Sequence, residues 1–252
     1  MRLDRYLSEI GIGTRKNIKQ YIKAGRISVN GTIAKVSDMK IDETTDSVTF
    51  DGRKLEYREY EYYMLNKPAG YVSATEDRIH KTVLELITET KRKDLFPVGR
   101  LDIDTEGLLI ITNDGDMAHR LLAPGKHVDK IYTAVVTGHV TEEDIAAFEN
   151  GIDIGEDGES LITEPAKLTV IGYAETLNGF GLDKDVSEQN VNNEYTKVEV
   201  TIHEGKYHQI KRMFAALGKE VVYLKRLSMG KIKLDENLAI GEYRRLNEEE
   251  CL

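Results

Sequence analysis

The chain has a single cysteine, Cys251, one residue from the C-terminus, so no internal disulfide and no cysteine-based metal cage is expected. No apolar run approaches the ~18–20 residues that a membrane span needs, and no apolar stretch follows the Met1-Arg2-Leu3-Asp4 start. Secretion and membrane insertion are therefore not expected, and the expected location is the cytoplasm. Internal repeats and low-complexity tracts are also missing. What is present is a chain of 252 residues, 40% hydrophobic and 31% charged. That is enough for a real core in one large domain or two.

A net charge of −9 argues at first against a polyanionic partner. The charge is segregated, however. Residues 1–40 carry nine Lys/Arg against three Asp/Glu, whereas residues 141–194 carry two Lys/Arg against fourteen Asp/Glu. Phosphate binding depends on local clusters of positive charge rather than on the whole-chain balance. The acidic total therefore excludes little.

The first block runs to about residue 57. Leu3, Tyr6, Leu7 and Ile10 fall at helical spacing, and Gly11-Ile12-Gly13 ends that helix. Thr14 is placed to cap a second helix whose apolar face is Ile18, Tyr21 and Ile22, with Gly25 as its stop. Arg15, Lys16, Lys19 and Lys23 project from its other side. Ile27-Ser28-Val29, the Asn30-Gly31 turn and residues 32–36 form a hairpin signal, and 47–50 is a further short strand. Helix, basic helix, "GRISVNG" and hairpin in this order resemble the S4 RNA-binding domain over about fifty residues. The resemblance implies that Arg2, Arg5, Arg15, Lys16, Lys19, Lys23 and Arg26 grip RNA phosphates.

After a short linker near 57–61, the second block mixes strands and helices. Residues 62–65, 130–136 and 197–202 read as strands. Residues 82–87 and 116–122 look helical, and 207–217 is the clearest helix, with Ile210, Met213, Phe214 and Leu217 on one face. The stretch 174–194 is rich in Gly, Asn, Asp and Glu and reads as a long mobile loop.

The chemistry concentrates in "GRLDIDTEGLLIITNDG" at 99–115. A polar turn carrying Asp102 feeds an apolar strand, and a carboxylate at a strand mouth beside Arg100 is common catalytic geometry. An Asp-x-Asp phosphatase reading fails because no apolar strand precedes Asp102. The whole segment resembles the signature of bacterial pseudouridine synthases that act on ribosomal RNA. "MLNKPAGYV" at 64–72, "KIY" at 130–132, "EGKYHQIKRMFAALG" at 204–218 and the "GEYRRLNEEE" ending agree with it in order. The resemblance thus spans nearly the whole chain, and within the family it is greatest to the small-subunit enzymes. It implies an α+β architecture: a small α/β S4-like domain at 1–57 and a catalytic domain at 61–252 on a mixed, mainly antiparallel sheet. The 174–194 stretch looks like an insertion.

The implied reaction converts a uridine, uridine-516 of 16S rRNA for the small-subunit enzymes, to pseudouridine. The C1′–N1 bond breaks, the uracil turns, and C1′ joins C5. No electron or group enters, so no cofactor and no metal is expected. One carboxylate beside C1′ is required, which by resemblance is Asp102, acting by attack on C1′ or by taking the 2′ proton. The resemblance makes Lys211 the cation that keeps it ionised, Tyr132 the aromatic that stacks on uracil and helps remove its C5 proton, and Ile210 the other wall. Arg100 would contact backbone or fill the vacated stack, and His208 would fix the helix start or contact RNA. Lys67 and Pro68 would shape the pocket, with Lys67 also touching RNA, and Asp104 and Glu106 would support the loop. Taken singly, Tyr132 is an ordinary strand tyrosine and Lys211 an ordinary helix lysine. The expected partner is ribosomal RNA, free 16S or an assembling small subunit, bound by a monomer without any membrane. Two rivals remain: a large-subunit rRNA synthase and a non-catalytic assembly factor.

Overall fold

The computed structural model describes residues 1–90, 92–156, 158–182 and 194–251. These fall into two compact units, Met1–Glu61 with Ile87–Phe96, and Tyr62–Leu86 with Pro97–Leu252. The division is discontinuous, in place of the single cut near 57–61 drawn from sequence.

In the first unit α1 (Leu3–Glu9) and α2 (Arg15–Lys23) pack on a small sheet. Thr14 caps α2, accepting from the Asn17 N–H at 3.3 Å while Asn17 Oδ1 accepts from the Thr14 N–H at 3.1 Å. β1 (Ile27–Val29) and β2 (Thr32–Ile33) are joined by Asn30 and Gly31, both at positive φ as a tight hairpin turn demands. With β3 (Val48–Phe50) and β4 (Arg53–Lys54) the order is β2-β1-β3-β4. The second hairpin strand, expected to reach Val36, stops at Ile33. Beyond it Ala34 turns into the core, and the carbonyls of Ser37 and Met39 accept from the otherwise unsatisfied N–H groups of Asp4 and Leu3 at the start of α1. Leu3, Leu7, Ile18, Ile27 and Val48 are fully buried between the layers.

The second unit contains β5 (Tyr62–Lys67), β7 (Glu106–Thr112), β8 (Lys130–Thr137), β9 (Lys167–Ala174), β10 (Tyr195–Ile202), β11 (Val221–Met229), β12 (Ile232–Lys233) and β13 (Tyr243–Arg245). β6 (Phe96–Val98) leads back into it. Four helices accompany them: α3 (Gly115–Leu122), α4 (Glu142–Asn150), α5 (Gln209–Ala216) and α6 (Glu248–Cys251). The sheet runs β13-β5-β7-β11-β8-β10-β9, with only β7 and β11 parallel along that path. The fold is thus a mixed, mainly antiparallel sheet with helices. β7 is buried on both faces from Leu108 to Ile111, which explains its unbroken apolar run.

Several expectations shift. Residues 82–87 form no α-helix but one 3-10 turn, Val83–Leu86, because Thr82 bridges Val72 and Val83 is drawn fully into the interior. The helix expected at 207–217, α5, begins at Gln209, since His208 adopts a left-handed conformation with φ 48°. Within the expected 174–194 loop, Ala174 ends β9, and 177–180 is a turn whose buried Leu177 packs with Val135 and Tyr195. Residues 183–193 lie outside the described residues. β9, α4 and β11 had no counterpart in the sequence reading. Among the described residues no helix is long and apolar enough to cross a membrane.

Candidate active site

Two sequence segments far apart in the chain build the floor of one cleft. Residues 99–105 form the polar turn before β7, and the segment following β5 clamps it. Ser73 Oγ donates to the Leu101 carbonyl and accepts from its N–H, both at 3.0 Å. The Gly70 N–H donates to the Ile103 carbonyl at 2.7 Å. The Lys67 ammonium donates to the carbonyls of Thr105 at 2.8 Å, Asp102 and Pro68 at 3.1 Å, and Ile103 at 3.3 Å. The turn thus has its carbonyls satisfied from below and its side chains left to face outward.

The opposite wall comes from the turn before α5. Gln209 is buried; its Nε2 donates to Glu204 Oε1 at 2.8 Å and its Oε1 accepts from the Lys206 N–H at 2.9 Å. This locks the entry to the helix, and the helix carries Lys211 towards the Asp102 turn. Lys211 Nζ lies 3.1 Å from Asp102 Oδ2 and 2.6 Å from Asp104 Oδ1. Burial alone would lower the Lys211 pKa, but hydrogen bonds to Asp104 and Asp102 outweigh it and hold the ammonium above the ordinary lysine value. His208 Nε2 lies 3.5 Å from the other Asp102 oxygen. The Asp102 side chain keeps a quarter of its surface exposed, so a substrate atom can reach it.

β11 sets the third side. Gly107 at the start of β7, Arg226 on β11, Tyr132 on β8 and Val200 on β10 form one row across the sheet. Gly107 and Tyr132 are therefore two strand spacings apart, about 10 Å. The cleft between these walls is lined by Arg100, Leu101, Asp102, Thr105, Tyr132 and Ile202 on the sheet side, and by His208, Ile210 and Lys211 on the helix side. Tyr132 and Ile210 are almost fully buried and present apolar surface, whereas the carboxylate and two cationic groups sit nearer the opening. Such a site can flank a planar base with apolar walls while holding a lysine-paired carboxylate beside its sugar.

The structure thus brings Arg100, Asp102, Tyr132, His208, Ile210 and Lys211 to one cleft. Lys67 shapes the pocket, as expected, but is not placed for the RNA contact also expected of it. Its side chain has no exposed surface, and its ammonium is enclosed by four carbonyls, so it holds the Asp102 turn and cannot touch RNA. Ser73 and Gln209 were missed in the sequence. The Lys-Pro-x-Gly and His-Gln segments that contain or flank them were visible, but nothing distinguished these two side chains from neighbours. Asp104, read as a support, shares Lys211 with Asp102. Among the described residues no group of three or more His, Cys, Asp or Glu side chains could hold a metal ion.

In the first unit the basic residues separate into two sets. Arg2 pairs with Asp4 at 2.8 Å, Arg5 with Glu9 at 2.7 Å and Arg26 with Asp51 at 2.5 Å. The Arg26 guanidinium also lies over the rings of Tyr21 and Phe50, 4.8 and 4.6 Å from their centres. Arg15, Lys16, Lys19 and Lys23 are exposed on α2. A groove is lined by Arg2, Arg15, Lys19, Lys23 and Lys35 together with Asp4, Asp38 and neighbouring residues. Lys35 is the member that sequence reading did not single out.

Comparison with known proteins finds two families along the chain. The RNA pseudouridylate synthase family matches residues 61–216, and the S4 domain matches residues 1–46. The chain is 47% identical over 251 residues to an uncharacterized RNA pseudouridine synthase of Bacillus subtilis, covering 99% of this chain and 96% of that one. It is 39% identical over 250 residues to ribosomal small subunit pseudouridine synthase A of Vibrio cholerae, covering 99% and 97%. A crystal structure of a pseudouridylate synthase superposes with a TM-score of 0.63 at 35% identity, covering 100% of this chain and 98% of the other. With an S4 domain ahead of this cleft and relatives that match end to end, the chain belongs to the RNA pseudouridine synthases of the ribosomal small subunit type, enzymes that isomerise uridine in ribosomal RNA.

Proposed function

We propose that this enzyme converts uridine-516 of 16S rRNA to pseudouridine, acting as a monomer in the cytoplasm on the free RNA or the assembling small subunit. The observation that carries the chemistry is the Asp102 carboxylate, held 3.1 Å from the Lys211 ammonium in a cleft walled by Tyr132 and Ile210. The choice of RNA rests on the likeness to small-subunit relatives over 99% of this chain. Asp102 acts on the sugar, by attack on C1′ or by removal of the 2′ proton. Lys211 supplies the countercharge to the carboxylate as the base displaces water. Tyr132 stacks on the freed uracil while it turns and helps remove the C5 proton once C1′ has joined C5, N1 taking up a proton in exchange. Ile210 closes the other side, and Arg100 and His208 hold the strand at the opening. The exposed cations of α2 supply phosphate contacts.

The test has two parts. Wild-type enzyme should release tritium from C5-labelled uridine in a 16S transcript, and rRNA from cells lacking the gene should lose pseudouridine at that one position. Asp102→Asn should abolish release, a loss of more than about a thousandfold, and leave RNA affinity nearly intact. Asn turnover within tenfold of wild type would remove Asp102 from the reaction. A pseudouridine lost from 23S RNA would move the substrate to the large subunit.

A further inference from the structure

Tyr207 is the most exposed tyrosine among the described residues, at 68%, and it stands beside the cleft. The residues on either side of it, Lys206 and His208, both line that cleft. Its ring is not loose. It stacks on the His208 imidazole with centroids 3.8 Å apart and planes 19° from parallel. His208 in turn sits at φ 48°, in the left-handed region that non-glycine residues seldom enter, with Nε2 3.5 Å from Asp102 Oδ1. The backbone around the pair is tied as well: the Tyr207 carbonyl accepts from Arg212 Nη1 at 3.3 Å, and the His208 carbonyl accepts from the Arg212 N–H at 2.9 Å. A backbone strained at a reactive carboxylate and fixed on both sides points to a function for what it displays.

What it displays is one covered and one open aromatic face. His208 covers the inner face of the tyrosine, and the 68% exposure leaves the outer face to solvent. Two short steps, 3.5 Å and 3.8 Å, separate Asp102 from this ring, within reach of the nucleotide adjoining the one whose sugar meets Asp102. A flat face open to solvent beside a site that must extrude a base suits a neighbouring base that has lost its stacking partner. We propose that the Tyr207–His208 stack is a platform for the base next to the target uridine, of any identity, and that Tyr207 is a substrate-positioning residue. The proposal rests on the isomerase reading above.

The test uses full-length enzyme and the rRNA transcript from which wild type releases tritium, so that a wrong choice of rRNA changes only the transcript. Affinity is read by fluorescence anisotropy, apart from turnover; absence of tritium release by wild type would fall on the isomerase reading, while affinity still reports on the stack. Tyr207→Ala should bind about tenfold more weakly, in the range that loss of one base–aromatic stack gives. Its rate at saturating RNA should stay within about threefold of wild type, and its salt dependence should be unchanged because every phosphate keeps its cation. Tyr207→Phe should behave as wild type, and Tyr207→Leu as the alanine variant. Tyr173→Ala is the control: that tyrosine also stacks on a histidine, His139, at 4.1 Å and is half exposed, but it does not line the cleft, and its loss should leave affinity unchanged. Abasic nucleotides flanking the target should weaken wild type and weaken Tyr207→Ala no further. Wild-type affinity in the alanine variant, equal loss in the phenylalanine variant, or full additivity with the abasic flank would each overturn the platform.

Discussion

Lys67 shows how a residue can belong to an active site without meeting the substrate. Its ammonium serves four carbonyls of the segments around Pro68 and the Asp102 turn, and a methionine there would leave them buried and short of donors. Lys67→Met should therefore destabilise the protein by about 3 kcal/mol and slow turnover through displacement of Asp102. Burial pushes this ammonium down to about 8, against the pull of Asp104, Asp102 and Glu106. Between that value and the ordinary lysine pKa of 10.5, the folded chain holds fewer protons than the unfolded chain. The stability contributed by Lys67 therefore rises with pH across this window and is flat below it. Urea unfolding from about pH 7 to pH 10 should show the gap between wild type and Lys67→Met widening as pH rises. A constant gap would mean that burial does not depress this lysine. The sequence sets Asp102, Tyr132 and Lys211 in recognisable segments, and the fold gathers these three side chains in one cleft. Ser73 and Gln209 carry no such mark, and Lys67 is legible only as a pocket-shaping residue without its partners, since their work is largely done on main-chain atoms, which leave no trace in the identity of the partner.

At the scale of elements, the one parallel pairing on the main sheet path, β7 with β11, is made possible by a missing side chain. Gly107 has φ +96°, and a Cβ there would stand 2.3 Å from the Arg226 carbonyl oxygen and 2.8 Å from its nitrogen. Gly70 has a similar φ of +89° with nothing within 4 Å of such a Cβ. The two positions separate backbone strain from collision. Gly70→Ala should cost about 1–2 kcal/mol, the penalty of the left-handed region alone. Gly107→Ala should cost clearly more, above about 3 kcal/mol, and should reduce turnover, because the strand it pushes on pairs with Tyr132. Equal losses in urea unfolding would show that the sheet yields at β11. The same strand explains a blind spot of sequence reading. Lys225 and Arg226 in the middle of "VVYLKRLSM" argue against a central strand, yet Arg226 is 2% exposed and donates Nε to the Leu108 carbonyl at 2.8 Å. β8 and β10 alternate cleanly and were legible. β9 leaves Ile171 and Tyr173 exposed, so its pattern resembles neither a buried nor a half-buried strand. α4 hides in the acidic stretch, marked only by the Thr141–Asp144 capping box.

For the whole molecule the question is which charges hold the RNA. The net −9 of the chain conceals a first unit whose arginines are partly spent on neighbouring acids: Arg2, Arg5 and Arg26 each face a carboxylate. Arg15, Lys16, Lys19 and Lys23 are exposed on a single helix, which makes them the cations to test as the proposed phosphate contacts. Removing residues 1–57 is a poor test of this, since 87–96 belongs to the same compact unit. There Arg92, with a side chain 3% exposed, donates to the Arg58 carbonyl at 2.7 Å, and truncation would strip away the unit on which that arginine is buried. No linear reading could show a segment that returns to the first unit only after β5. Charge reversal of the four α2 residues in the full chain avoids the problem, because none of their side chains supports the core. The variant should fold as wild type and bind substrate rRNA far more weakly. Its slope of log affinity against log salt should fall by about three, at ~0.7–0.9 for each phosphate no longer neutralised. Single-turnover tritium release at saturating RNA should change little, since Asp102, Lys211 and Tyr132 are untouched. If affinity and slope both survive the reversal, phosphate binding must shift to the second unit, where residues 197–231 carry eight Lys/Arg against three Asp/Glu.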